Sequence, residues 1–251
     1  MARYDIRTPR LFTDAALGAG LRVALQQPQA HYLLHVLRLA AGDPVLLFNG
    51  RDGEWRGRLE KPGKRDVSVQ LEERGRPQTP AGDLHYWFAP LKHSRLDYMA
   101  QKAVEMGAAK LQPVITRRTQ AARVNLERMR ANAIEAAEQC GILTLPEVAA
   151  PIGLDQALAD REPSRLLIFC DEDAEVKDPV AALRQARGET ATTRPLALLV
   201  GPEGGFADEE RKMLLGTPHV LRLALGPRIL RADTAAVAAL ALVQTVLGDW
   251  R

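Results

Sequence analysis

Apolar and polar positions follow two different rhythms along the chain, and the change falls near residue 80. Before it the apolar runs are short, at Pro44–Phe48, Glu54–Leu59 and Val67–Leu71. Their length and alternation predict strands, with Asn49-Gly50-Arg51-Asp52-Gly53 turning between the first two. A short helix is expected at Gln29–Leu39, so residues 1–73 read as a small β-rich unit. The Pro-, Gly- and charge-rich segment 74–83 reads as a linker.

From residue 84 to 251 strands alternate with helices: Leu84–Leu91, Arg95–Met106, Leu111–Ile115, Leu126–Cys140, Leu166–Cys170 and Pro179–Ala186. That alternation implies an α/β unit with a mostly parallel sheet covered on both faces. Ser94-Arg95-Leu96-Asp97 predicts a capping box at the start of the second segment, and Gly107 its stop. Two further apolar runs, Leu196–Val200 and Val220–Leu225, read as buried strands. Each leads into a glycine-centred loop: Gly201-Pro202-Glu203-Gly204-Gly205-Phe206, and Gly226-Pro227-Arg228-Ile229-Leu230-Arg231. Ligands of open α/β sheets bind at the carboxyl ends of strands, where glycine lets backbone approach them. The first loop lacks the Lys-Ser/Thr pair of a phosphate loop and the glycine spacing of a dinucleotide fingerprint. The second mixes apolar residues with arginines where solvent is expected, which suggests an apolar slot with a cation beside it.

The last helix predicts assembly. Asp233 or Thr234 can cap it, and Ala235–Val243 is apolar without a break. A helix packed only on its own sheet should keep one polar face. This one is therefore expected to pair with a second copy, with full burial inside one domain as the alternative, and Ala239→Glu or Val243→Glu to give monomers of poor activity.

Charge adds a partner. Residues 1–130 carry 22 Lys+Arg against 13 Asp+Glu, and residues 131–251 carry 12 against 18, so +9 and −6 recover the net +3. Such asymmetry favours a polyanion on the first half, and RNA is the better reading than plain solubility. Arg10, Arg38, Lys92 and Arg95 are the candidates for phosphate contacts, with a solvated surface cation as the alternative for each. No apolar run reaches membrane-spanning length, which makes a cytoplasmic protein the expectation. Cys140 and Cys170, without a CxxC spacing, read as buried reduced thiols rather than a disulfide or metal ligands. His31 and His35, four apart, read as RNA-facing or packing residues, and no metal is expected.

LLVGPEGGF and LALGPRILRADTA resemble the signature of the ribosomal small-subunit RNA uridine N3-methyltransferases, of the SPOUT class. The likeness covers the whole chain: Pro9-Arg10-Leu11-Phe12 resembles the family's opening, and His31-Tyr32-Leu33-Leu34-His35-Val36-Leu37-Arg38-Leu39 with Gly42-Asp43 its first-domain motif. Lys92, Gln101-Lys102, Glu105-Met106-Gly107 and Glu135-Ala136-Ala137-Glu138-Gln139-Cys140-Gly141 match its middle. The chain departs from the pattern at Ile142, where the family usually has Arg, and at Ala232-Asp233 in place of Thr-Glu. Loss of the Arg puts an RNA or active-site contact in doubt.

The resemblance implies a PUA-like RNA-binding barrel followed by an α/β trefoil-knot methyltransferase domain that dimerises through the knot. It implies S-adenosylmethionine as methyl donor, held by the loop after Leu166–Cys170 and the two glycine loops. Leu199, Gly201, Pro202, Gly204, Leu223, Leu225, Gly226, Ile229 and Leu230 are the candidate lining. The acceptor, uracil N3–H, is a weak nucleophile until its proton leaves, and a cation beside it favours the anion. Arg231 is the first choice for that cation, and Glu203 for hydrogen-bonding the base or taking the proton. Each has a structural alternative: charge at the following helix for Arg231, a helix cap for Glu203. A SPOUT enzyme with another RNA target and a non-catalytic RNA-binding ribosome-assembly protein remain the competing functions.

Overall fold

The computed structural model describes the chain apart from residues 1–4, 6, 62–65, 93, 122, 176–177, 188–193 and 251. It forms two compact units: residues 1–81 with 134–145, and residues 82–133 with 146–251.

In the first unit the short alternating runs form the expected strands. β1 (Arg10–Phe12), β2 (Arg22–Ala24), β3 (Pro44–Phe48), β4 (Glu54–Glu60) and β5 (Ser68–Arg76) make one sheet in the order β1-β3-β4-β5-β2. Only the β1–β3 pair is parallel. Side chains alternate across β3, so Val45 and Leu47 enter a core with Leu11, Val23, Leu33 and Val69. Phe48, on the other face, packs with Ala137 and Leu143. Sequence reasoning missed that residues 134–145 belong here. The expected linker also starts late, because β5 continues to Arg76, whose guanidinium bonds Glu54 at 2.8 Å and the Gly141 carbonyl at 2.9 Å. The expected helix at 29–39 is α1 (Gln27–His31) followed by one π-helical turn, Tyr32–Val36.

The second unit is a parallel sheet of β6 (Leu84–Phe88), β7 (Lys110–Ile115), β8 (Glu147–Val148), β9 (Ile152–Gly153), β10 (Leu166–Cys170), β11 (Leu196–Val200) and β12 (Val220–Leu223). Its order is β12-β10-β11-β6-β7-β8, with β9 also on β7. The helices are α2 (Ser94–Glu105), α3 (Leu126–Cys140, running on into the first unit's residues), α4 (Leu154–Ala159), α5 (Pro179–Arg187), α6 (Asp208–Gly216) and α7 (Ala232–Val246). Every residue of β11 is buried, as a strand covered on both faces requires. Because β10 lies between β12 and β11, the loops leaving these three strands emerge side by side.

Two expected caps are not formed. Asp97 turns its carboxylate onto Arg128 and Asn132 of α3, and α7 starts after Arg231, with Asp233 inside its first turn. Among the described residues no helix is long and apolar enough to cross a membrane.

Candidate active site

The three adjacent loops enclose a cavity of about 300 Å³. Its lining runs through Cys170–Glu172 after β10, Val200–Gly205 after β11, Leu223–Leu230 after β12, and Ala232 and Ala235 of α7. Of the nine residues expected to hold a cofactor, Gly201, Pro202, Gly204, Leu223, Leu225, Gly226, Ile229 and Leu230 line it. Leu199 does not. It points into the core against Phe169 and Phe206, and its neighbour Val200 faces the cavity instead.

Local geometry explains the glycines. A Cβ on Gly201 would stand 2.8 Å from the Phe206 ring, so only glycine lets the strand end lie against that phenylalanine. Gly226 adopts φ +104°, a left-handed conformation that side chains disfavour. Beyond it Ile229 is 91% exposed, an apolar side chain with nothing of its own chain covering it.

Two ion networks frame the cavity, and sequence reasoning found neither. Asp171, buried at the end of β10, accepts from Arg211 Nε of α6 at 3.0 Å and Arg222 Nε of β12 at 2.8 Å. Burial pushes this carboxyl up, but the hydrogen bonds from Arg211 and Arg222 outweigh it and hold it below the usual carboxylate range. Arg211 also pairs with Glu172 and Asp173, tying the start of the β10 loop to α6. Burial pushes the neighbouring Cys170 thiol up to about 12, helped by the Asp171 charge.

The second network holds Glu203 of the cavity lining. Arg95, from the first turn of α2, meets Asp233 with two parallel hydrogen bonds of 3.0 Å and also pairs with Glu203. Arg95 holds the Asp233 carboxyl below its ordinary range. Glu203 therefore does not cap a helix; Glu210 takes that part for α6, accepting from the Ala207 amide at 2.9 Å. Arg231 stands outside the cavity lining, exposed at the N-cap of α7, with no ion-pair partner among the described residues.

The expected phosphate contacts separate into different kinds. Arg10 is 8% exposed and its guanidinium is taken by Glu54 and the carbonyls of Asp5 and Glu138, so it supports the first unit and is not a surface cation. Arg95 is the intramolecular clamp just described. Lys92 is exposed. Arg38 is exposed too, and adopts φ +58° beside the exposed side chains of Tyr32, Val36 and Leu37. A non-glycine residue held there costs of order 1 kcal/mol, and such strain clusters at functional sites. The His31 and His35 rings on the preceding turns pack together, 5.0 Å between centroids. Ile142 lies in the first unit, against the Phe48, Ala137 and Leu143 cluster, and is no part of the cavity.

Residues 77–244 match the model of an RNA methyltransferase domain, and residues 25–72 that of an RNA methyltransferase PUA domain. The chain belongs to this RNA methyltransferase family. It is 31% identical to the ribosomal RNA small subunit methyltransferase E of Rickettsia conorii, over 94% of each chain. Among solved structures, the ribosomal RNA small subunit methyltransferase E of Neisseria gonorrhoeae, bound to S-adenosyl methionine, superposes with a TM-score of 0.81 at 28% identity, covering 98% of this chain and 100% of that one. A methyltransferase from Legionella pneumophila, in complex with the same cofactor, gives 0.77 at 30% identity over 95% and 98%. The protein shares the SPOUT-type α/β-knot fold of this family, with a PUA-like sheet before it.

Proposed function

We propose that the protein transfers a methyl group from S-adenosylmethionine to N3 of a uridine in small-subunit ribosomal RNA. The observation that carries this reading is one cavity built by the loops of three neighbouring parallel strands, with Glu203 of its lining held in a network with Arg95 and Asp233. The cavity fits the methyl donor. Leu223, Leu225 and Ile229 offer apolar surface for adenine and the methionine chain, and the glycine loops bring main-chain donors and acceptors to the base edge. When bound, the donor supplies a methyl on a sulfonium centre, open to in-line displacement.

This chain's residues do the remaining work. The target base must be unpaired or flipped out, because N3 lies on the Watson–Crick edge. Glu203 has one carboxylate oxygen on Arg95 and the other without a partner among the described residues, free to accept from uracil N3–H. Arg95 fixes that carboxylate and Asp233 fixes Arg95 in turn, a pre-organised arrangement that does not reorient during reaction. Arg231, beside the mouth, is the cation that stabilises charge developing on the uracil oxygens. The exposed segment around Arg38 in the first unit docks the RNA, and the enzyme acts in the cytoplasm as a homodimer.

The test is mass-spectrometric mapping of uridine methylation in small-subunit RNA from cells lacking this protein. One N3-methyluridine should vanish and return on complementation. No change in uridine methylation would overturn the assignment.

A further inference from the structure

A second cavity, of about 450 Å³, opens between the first turns of α2 and α3 in the second unit. Its floor is apolar: Leu91, Ala100 and Met129 are each at most 5% exposed, with Leu96 beside them. Its rim is cationic, formed by the exposed side chains of Lys92, Arg123 and Arg128. The cavity shares no lining residue with the first. Arg95 reaches toward Glu203 and Asp233, whereas the next residues, Leu96 and Asp97, line the second cavity. Consecutive residues of the first turn of α2 thus face the Glu203 network and the second cavity.

The one carboxylate of this cavity is fully occupied. Asp97 accepts from Arg128 Nε at 2.9 Å, Arg128 Nη2 at 2.5 Å and Asn132 Nδ2 at 2.8 Å. It holds Arg128 at the rim and offers little to an incoming cation. Lys92 and Arg123 have no ion-pair partner among the described residues. The opening is therefore net positive above an apolar base. A free inorganic anion would have no use for that floor, and a purely apolar ligand none for three cations. A nucleotide uses both, laying its ring on aliphatic side chains and its phosphate on the cations. The volume falls in the range of small-molecule sites.

We propose that this cavity receives a nucleotide adjacent to the methylated uridine, its base on Leu96 and Met129 and its phosphate against Lys92 and Arg123. The inference rests on the reading that the enzyme methylates a uridine of small-subunit RNA. Extruding a base costs a few kcal/mol of lost stacking. Capturing the neighbour in the second cavity holds the strand open while the target lies at the first.

The test uses the full chain and an RNA fragment that it methylates, with 4-thiouridine placed in turn at each position flanking the target. Irradiation should crosslink one adjacent position to peptides containing Leu91–Leu96 or Arg123–Met129. Arg123→Ala should raise the KM for RNA about tenfold and lower the slope of log affinity against log salt by about one. The same variant should keep wild-type S-adenosylmethionine affinity and thermal midpoint. An abasic residue at the crosslinking position should weaken RNA binding by the wild type. Efficient methylation with every crosslink outside both segments, and wild-type salt slopes for Arg123→Ala and Lys92→Ala, would overturn the second subsite alone. A wild-type enzyme that methylates no uridine in any small-subunit RNA would overturn the functional reading, and this proposal with it.

Discussion

Arg95 aims three nitrogens at two carboxylates, and that commitment decides what the neighbouring charges are free to do. Asp233 is held as an anion by the two-pronged contact, so it steadies Arg95 and has no spare oxygen for the substrate. Arg231, two residues earlier, has no such partner among the described residues, as the proposed contact with uracil requires. Arg231→Ala should therefore lower turnover about a hundredfold, the usual cost of removing one preorganised donor to developing charge. Affinity for S-adenosylmethionine, read by calorimetry, should stay within about twofold of wild type; equal losses in both would make Arg231 a wall of the cavity. The sequence disclosed that arginines and acids gather here. It could not pair them, because Arg95 lies 138 positions from Asp233 and only the fold brings them together. The cysteines give a second expectation at this scale. Thiolate is the reactive form, and burial lifts Cys170 to about 12. Cys140 is exposed, against the expectation of a buried thiol, so at pH 8 iodoacetamide should label it and spare Cys170, which also protects a thiol at the cavity from alkylation by a methyl donor. Equal labelling of both, read by peptide mass, would remove that argument.

At the scale of elements, β10, β11 and β12 each end where the cavity begins, and Asp171 joins two of them to α6. Asp171→Asn leaves Arg211 and Arg222 facing a neutral amide. Breaking a buried pair in this way costs about 3–5 kcal/mol. Denaturant unfolding should show a loss toward the lower end, since both arginines keep some access to water, together with weaker S-adenosylmethionine binding. Unchanged cofactor affinity would mean that the β10 loop forms without this anchor. The folded pKa of Asp171 lies below its unfolded value, so its contribution is present above about pH 4 and fades as pH falls through the folded pKa. The three strands were readable as apolar runs because strands buried on both faces carry no polar interruption. For the same reason such a run cannot reveal which residues face the ligand, and Leu199 was taken for Val200. β8 and β9, two residues each, are too short to carry a period, and neither they nor α4 were foreseen. The capping box at Ser94 matched in spacing, but Asp97 found stronger partners in Arg128 and Asn132 of α3.

At the scale of the molecule, the open question of assembly turns on which face of α7 its own chain leaves uncovered. Ala235, Ala236, Ala239, Leu240 and Val243 are buried within the protomer, where α7 packs on α2, α5 and β11. Ala239 and Val243 are 0% exposed, so the glutamates suggested by sequence would unfold the chain rather than separate two copies. Val237, Ala238, Ala241 and Leu242 keep partial exposure along one stripe, with the exposed Thr234 and Thr245 at its ends. That spacing is one helical face, its small residues allow close approach, and solvent alone gives no reason for four apolar positions there. The continuous apolar run was readable in the sequence; the division of its two faces between core and surface was not, because both faces carry the same residue types. A homodimer through this stripe places a second copy beside the α7 N-terminus, where Ala232 and Ala235 line the cavity and Ile229 stands bare. Leu242→Glu and Ala238→Glu should therefore give folded monomers that turn over poorly, because both side chains keep some exposure, unlike Ala239 and Val243. Sedimentation velocity at micromolar concentration should show a dimer for wild type and half that mass for the variants. A wild-type monomer under those conditions, or fully active monomeric variants, would separate the exposed stripe from catalysis and leave it as surface.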